Sequence, residues 1–244
     1  MPMSMIRRAA LIVCLAAFSP GATAQSESYE SGADAFAAGD YDTAMAQWRP
    51  LAEEGNAAAQ YNLGLVFANG FGVMRNAGTA REWYRKSAEQ GYARAQHNLG
   101  VLLQNGETGE PDYTAAARWY REAAEQGEAA AQNNLAMLYV QGLGVEEDRA
   151  RAARLAAEAA RQDNESARRN LPRLLEGLPA ATIKGSKVNV RTGPGTDHDK
   201  LLQTDKGAQV HILATEGEWK EIIFTDGYAI GWIAEFLLDT EGED

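Results

Sequence analysis

The stretch AEQGYARAQHNLG at residues 88–100 returns at 124–136 as AEQGEAAAQNNLA and is anticipated at 52–64 by AEEGNAAAQYNLG, a period of thirty-six residues. Stacked on that period, the chain aligns Ala44, Ala80, Ala116 and Ala152; Trp48, Tyr84 and Tyr120; Gly55, Gly91 and Gly127; and Leu63, Leu99, Leu135 and Leu171. A unit of this length hides an apolar face only against its neighbours. A register held without slippage therefore predicts a stacked solenoid rather than one closed core.

Within one unit the spacing reads as helix, sharp stop, helix. Ala80, Trp83, Tyr84 and Ala88 fall at i, i+3, i+4 and i+8, one stripe of a helix running from about Thr79 to Gln90. Gly91 sits where a helix commonly ends in the left-handed conformation, which glycine adopts without a side-chain clash. A second helix from about Tyr92 to Leu103 carries Ala95 and Leu99 at i and i+4, and its small alanines permit close helix approach. Gly70, Gly106 and Gly142 close the units.

The pattern A..WY...AEQG.A.AQ.NLG......G.GV, read from Ala80 to Gly106 and again from Ala116 to Val145, resembles the Sel-1-like repeat, a relative of the tetratricopeptide repeat. The resemblance covers about residues 35–178, or about four units, and implies an α–α superhelical solenoid that mediates protein–protein interaction. Residues 25–34 lead into a capping helix carried by SYESGADAFAAG. The fourth row departs from the pattern: Asp163 stands for the turn glycine, Arg168 for the glutamine and Pro172 for the glycine after Asn-Leu. An atypical terminal repeat of this kind has an outer face that is wet or docks something else.

Repeats separate architecture from specificity, because columns fixed across rows carry the scaffold and columns that vary are free to differ. Asn62, Asn98, Asn134 and Asn170 are fixed, and asparagine is a poor mid-helix residue; a buried hydrogen bond that stabilises each unit is expected. Arg49, Arg85 and Arg121 face water on the first helix, either as a basic ladder for an acidic ligand or as partners of Glu53, Glu89 and Glu125 four residues on. The solvated pairing is the simpler reading. Tyr61, His97 and Asn133 vary and point away from the leucine column, which makes them candidates for partner contact.

At the amino terminus, Arg7 and Arg8 precede the apolar run AALIVCLAAF, and SPGATA offers a small-x-small cleavage site. Residues 1–24 are expected to be a secretory signal cleaved after Ala24, too short to remain as an anchor, with no membrane insertion afterwards. Cys14 lies inside that segment, so the processed chain is thiol-free and neither lipidation nor a disulfide is expected. Removing two arginines takes the formal charge from −11 to −13, which disfavours nucleic acid and anionic surfaces as partners. Export suggests the periplasm, with secretion as the alternative.

After PRLLEGLPAA the pattern changes to short alternating segments: KVNVRTGPGT, LLQTDKGAQVHILAT, GEWKEIIFTDG and YAIGWIAEFL. Val188 and Val190 flank Asn189, Val210 and Ile212 bracket His211, and TDG ending at Gly227 reads as a hairpin turn. The expected order is a linker at 179–184, a small β-barrel at 185–239 and an acidic tail at 240–244. VNVRTGPG at 188–195, KGAQVHIL at 206–213, Trp219, Asp226-Gly227 and GWIAEFL at 231–237 resemble the bacterial SH3-type domain. Similar domains often bind peptidoglycan peptides in a groove beside the loop after the first long strand. Carried over, that loop is 192–200, and the resemblance implies groove positions at Asp197, His198, Trp219 and Tyr228. Core packing is the competing role for Trp219 and the expected one for Trp232.

No catalytic constellation emerges. His97, His198 and His211 lie in different elements without metal-ligand spacing, and TDHDK reads as a solvated loop rather than a cation site. No cofactor or metal is expected. The chain therefore reads as a non-catalytic exported scaffold: a solenoid for protein partners in the cell envelope, followed by an SH3-type second binding module. The alternative is a wall-targeting protein in which the barrel binds peptidoglycan peptides.

Overall fold

The computed structural model describes residues 20–226 and 228–240, with side chains from Gln25 onward. Most of the expected signal segment with Cys14, Gly227 of the TDG turn and the tail from residue 241 lie outside the described residues. Among the described residues the first part is helical: α1 (Pro20–Ala37), α2 (Tyr41–Glu53), α3 (Ala57–Asn69), α4 (Ala77–Glu89), α5 (Ala93–Gln104), α6 (Tyr113–Glu125), α7 (Ala129–Gln141), α8 (Arg149–Arg161) and α9 (Glu165–Leu175). Helices α2, α4, α6 and α8 are the first helices of their units, and α3, α5, α7 and α9 the second.

Side-chain caps start most of these helices where the spacing puts them. Asp40, Asn56, Asn76, Asp112, Asp148 and Asn164 each accept a hydrogen bond from a backbone N–H three residues on, replacing a bond that a free helix end lacks. The reversal between the paired helices uses Gly55, Gly91 and Gly127 at φ of +99°, +85° and +86°. Asp163 takes the same left-handed conformation at φ +62° in the fourth unit, where its carboxylate pairs with Arg168.

The aromatic column stacks successive units through glycine. A Cβ built on Gly64 would meet the Tyr84 ring at 2.5 Å, one on Gly100 the Tyr120 ring at 2.6 Å, and one on Gly32 the Trp48 indole at 2.5 Å. In the last unit Ala136 replaces the glycine of its column and Ala156 the aromatic, so the small-large partition changes on both sides together. Tyr84 and Tyr120 are buried among the alanines and leucines of the repeat core.

A buried glutamine column closes each helix pair. Gln60, Gln96 and Gln132 donate through Nε2 to the carbonyls of Ala52 (2.9 Å), Ala88 (3.2 Å) and Ala124 (3.4 Å). Arg168 makes the equivalent bond to Ala160 at 3.1 Å. Between units, Gln90, Gln126 and Gln162 donate to the side-chain oxygens of Gln60, Gln96 and Gln132 at 2.8, 2.7 and 2.9 Å. These side chains satisfy polar groups that burial would otherwise leave costly.

The second part is one antiparallel sheet of β1 (Ala180–Ile183), β2 (Val188–Arg191), β3 (Lys200–Thr204), β4 (Gln209–Glu216), β5 (Trp219–Phe224), β6 (Ile230–Ala234) and β7 (Leu238–Thr240), in the order β3-β2-β6-β5-β4-β1-β7. Residues 179–184 are therefore not a linker: β1 pairs with both β4 and β7. Its four residues are too few for alternation to stand out in the sequence. Val190, Val210, Ile222, Phe224 and Ile233 form the inner core of this SH3-type unit.

The two parts share a core. Leu213 and Ile223, on the outer side of β4 and β5, are buried in the same cluster as the leucines and tyrosines of the repeats, with Leu178, Tyr228 and Ile230 packed against it. Tyr228 also packs on the cluster of Ala159, Ala160 and Ala167 from α8 and α9. Arg154 of α8 donates to Glu221 of β5 through Nε at 2.8 Å and through Nη2. The sheet thus packs on α8 and the start of α9 in the fourth unit, capping part of an open solenoid end, while the atypical residues Asp163, Arg168 and Pro172 themselves stay exposed.

Candidate interaction site

The variable column does not stand free. Tyr61 packs against the rings of Tyr84 and Tyr92 at centroid distances of 5.9 and 5.2 Å, His97 against Tyr120 at 5.8 Å, and Asn133 is buried. His97 and Asn133 join the asparagine column in one polar chain. Asn170 donates to Asn133 (3.0 Å), Asn133 to Asn134 (3.4 Å), Asn134 to His97 Nε2 (3.1 Å), His97 Nδ1 to Asn98 Oδ1 (3.1 Å) and Asn98 to the Tyr84 hydroxyl (3.1 Å). This direction requires the neutral imidazole protonated on Nδ1. Burial holds the His97 pKa below the ordinary histidine value, against the hydrogen bond to Asn98 and the charge of Glu128. His97 and Asn133 thus link the second helices of successive units, while Tyr61 and His97 stay half-exposed. The asparagines are half-buried rather than buried, and their bonds divide between those within a unit and those that cross to a neighbour.

The arginine column divides. Arg85 pairs with Glu89 at 3.8 Å, with both side chains exposed. Arg49 is exposed as well. Arg121, one unit further, turns from Glu125 to the hydroxyl of Tyr139, donating at 3.3 Å. Arg151 of α8 donates to that hydroxyl at 3.0 Å. Burial raises the Tyr139 pKa, but the two arginines outweigh it, leaving the phenol below the ordinary tyrosine value.

Around these groups lies an open groove made of three adjoining cavities of about 520, 330 and 430 Å³, each lined in part by Arg121. Its walls are α6, the end of α7, the α7–α8 loop and α8. Most of the nearby carboxylates are engaged. Asp148 caps α8 and reaches Arg151 only at 4.0 Å, Glu147 pairs with Arg149 at 3.1 Å, and Glu158 accepts from Gln132 at 3.2 Å. Among the described residues Arg121 forms no ion pair within 4.0 Å.

Tyr139 and Arg151 escaped the column reading, although each is an outlier in its column. Tyr139 follows Phe67 and Leu103 and precedes Leu175; Arg151 follows Thr43, Thr79 and Ala115. The signal was present. What spacing alone withheld was that the two outliers converge on one fixed arginine.

The expected barrel groove does not assemble as one surface. Trp219, half-buried, begins β5 and pairs with Ala234, whereas Tyr228 follows the other end of that strand, roughly 15–20 Å away along six extended residues. Tyr228 is turned into the contact with α8 and α9. Asp197 and His198 are exposed on the β2–β3 loop, which is closed by a bond from Thr192 N to Asp199 O (3.0 Å) and by Arg191 donating to the His198 carbonyl (2.7 Å). The His198 ring covers Gly193 so closely that a Cβ there would lie 2.4 Å from it. The loop is packed on itself. Trp232 is half-exposed on the outer face rather than in the core, because its neighbours Gly231 and Ile233 take the inward positions of β6.

Stacked helix pairs, an open groove between units and a docked β unit define a helical-repeat protein that offers surface rather than an enclosed reaction chamber. The Sel1 repeat family matches residues 57–92, 93–128 and 129–164, and the bacterial SH3 domain family matches 186–238. The chain carries three Sel1 repeats and a bacterial SH3 domain. Among solved structures it is similar to a Sel1 repeat protein from Oxalobacter formigenes, at 32% identity and TM-score 0.57 over 61% of this chain and 61% of that one. It is also similar to a protective antigen present in uropathogenic Escherichia coli strains displaying an SLR fold, at 34% identity and TM-score 0.59 over 62% of this chain and 33% of that one. The chain thus spans about three fifths of the length of the first and a third of the second. No curated protein matches it.

Proposed function

We propose that this chain is a non-catalytic scaffold, exported to the cell envelope, whose helical repeats hold a protein partner while the SH3-type unit presents a second surface at a fixed position. The observation that carries this reading is the groove on the α6–α8 side, open to solvent, on a solenoid whose core is shared with the docked β unit. Joining two binding surfaces in one rigid body raises the effective concentration of the second after the first has engaged. The arginine pair and apolar run at the amino terminus support export. Photo-crosslinking in living cells from positions on α4, α6 and α8 tests the reading: capture of defined envelope proteins is the expected result. Capture from none of these positions ends it. The wall-targeting alternative loses support with Tyr228 turned inward, and the full chain is expected to stay in the supernatant when purified sacculi are sedimented.

A further inference from the structure

The groove between α6 and α8 carries a more specific chemistry, which rests on the scaffold reading and narrows it. We infer that this groove binds an acidic, extended segment of a partner protein, with carboxylates received by Arg121 and Arg151 and the segment running toward the SH3-type unit. Three observations converge. First, in a chain of net charge −11, the guanidinium groups of Arg121 and Arg151 meet on a single neutral acceptor, the Tyr139 hydroxyl, at 3.3 and 3.0 Å. A phenol satisfies one N–H of each fork, Arg121 has no ion pair among the described residues and Arg151 meets Asp148 only at 4.0 Å, so both forks keep N–H groups for a carboxylate, which takes two at once. Second, the next arginine on the same wall, Arg154, already holds a carboxylate: Glu221 of β5 sits on its Nε and Nη2. The protein's own β unit thus displays, one helical turn along, the contact that an incoming acidic residue would make. Third, the groove is continuous with that junction, since Arg121, Arg151, Arg154 and Leu155 line one cavity. That cavity sets three arginines beside Leu135 and Leu155, and of its two carboxylates Glu158 is held by Gln132 while Glu125 lines the wall; apolar side chains of the segment suit the two leucines.

Tyr139 is a positioning residue here. It holds both arginines in place and contributes no charge. The test uses the full chain against a displayed library of random decapeptides. Bound sequences enriched in Asp and Glu are expected, with affinity falling at high salt and falling about 10- to 100-fold in R121Q/R151Q. R121K/R151K should recover part of the loss, and Tyr139→Phe should weaken acidic peptides several-fold without changing helix content by circular dichroism. Bound peptides lacking acidic enrichment, or equal binding by R121Q/R151Q with wild-type helix content, overturn the inference. So does equal competition by inorganic phosphate at the peptide's own concentration, which marks a general anion site. If R121Q/R151Q still captures the same envelope proteins by crosslinking, the groove chemistry fails while the scaffold reading stands.

Discussion

At the scale of single residues, the polar chain through His97 makes a pH prediction. His97 Nε2 accepts from Asn134 while Nδ1 donates to Asn98, so a second ring proton would face another donor. With its folded pKa held below the unfolded value of about 6.5, the unfolded chain takes up the proton first as pH falls. The stability that His97 contributes is therefore present above about pH 6.5 and is lost as pH falls through that value toward the folded pKa. Urea midpoints at pH 7.5 and pH 5 should drop more for the wild type than for His97→Asn, the residue that the next unit carries in that column; equal drops would dismiss the polar chain as the cause. Tyrosines act at the other end of the scale. Burial, the largest influence, holds the hydroxyls of Tyr84 and Tyr120 well above the ordinary tyrosine range, against the bonds from Asn98 and Asn134. Above about pH 10 the unfolded state releases protons that the folded state keeps, so stability falls with pH by about 1.4 kcal/mol per unit for each such residue. Alkaline denaturation should show a shallower pH slope in Tyr120→Phe, even though that variant loses the bond to Gln104 and starts from lower stability.

At the scale of elements, the units are held by contacts that repeat with the sequence. A Cβ at position 100 would lie 2.6 Å from the Tyr120 ring, and a buried ring has no room to retreat. Gly100→Ala should destabilise by about 1–3 kcal/mol, although alanine is the better helix former; chemical denaturation measures it, and a neutral or stabilising result would show that the units have slack between them. The helix pairs themselves were legible. Of the stripe Ala80, Trp83, Tyr84 and Ala88, Trp83 is half-buried and the other three are buried as the spacing implies, and α4 and α5 begin and end within two residues of the expected helices. The glutamine ladder was less visible, since Gln60, Gln96 and Gln132 were fixed columns whose partners lie eight residues back and thirty residues on. Helical spacing alone relates neighbours three and four apart.

At the scale of the whole molecule, the SH3-type unit and the last repeats should unfold together. Ile223 is fully buried and belongs to the cluster that reaches back to Ala80 on α4. Ile223→Ala should cost about 2–5 kcal/mol and separate the unfolding of the sheet from that of α8 and α9. Amide exchange checks this: wild type should lose protection in β5 and α8 at one denaturant concentration, and the variant at two. Separate transitions in the wild type would mean that the junction is a weak contact rather than a shared core.

The order of elements, the period of the units, the reversal at each turn and the change from helix to strand near residue 179 were set by the sequence, because capping, glycine conformations and apolar spacing act over a few residues and leave a one-dimensional record. Tertiary structure alone decided which arginine of the column is left with a phenol for a partner, that His97 and Asn133 bond across successive units, and that Tyr228 is spent on the junction. Those outcomes depend on the rotation of each unit against the next and on where the sheet docks. Such angles arise from all the packed surfaces together, and no spacing along the chain encodes them.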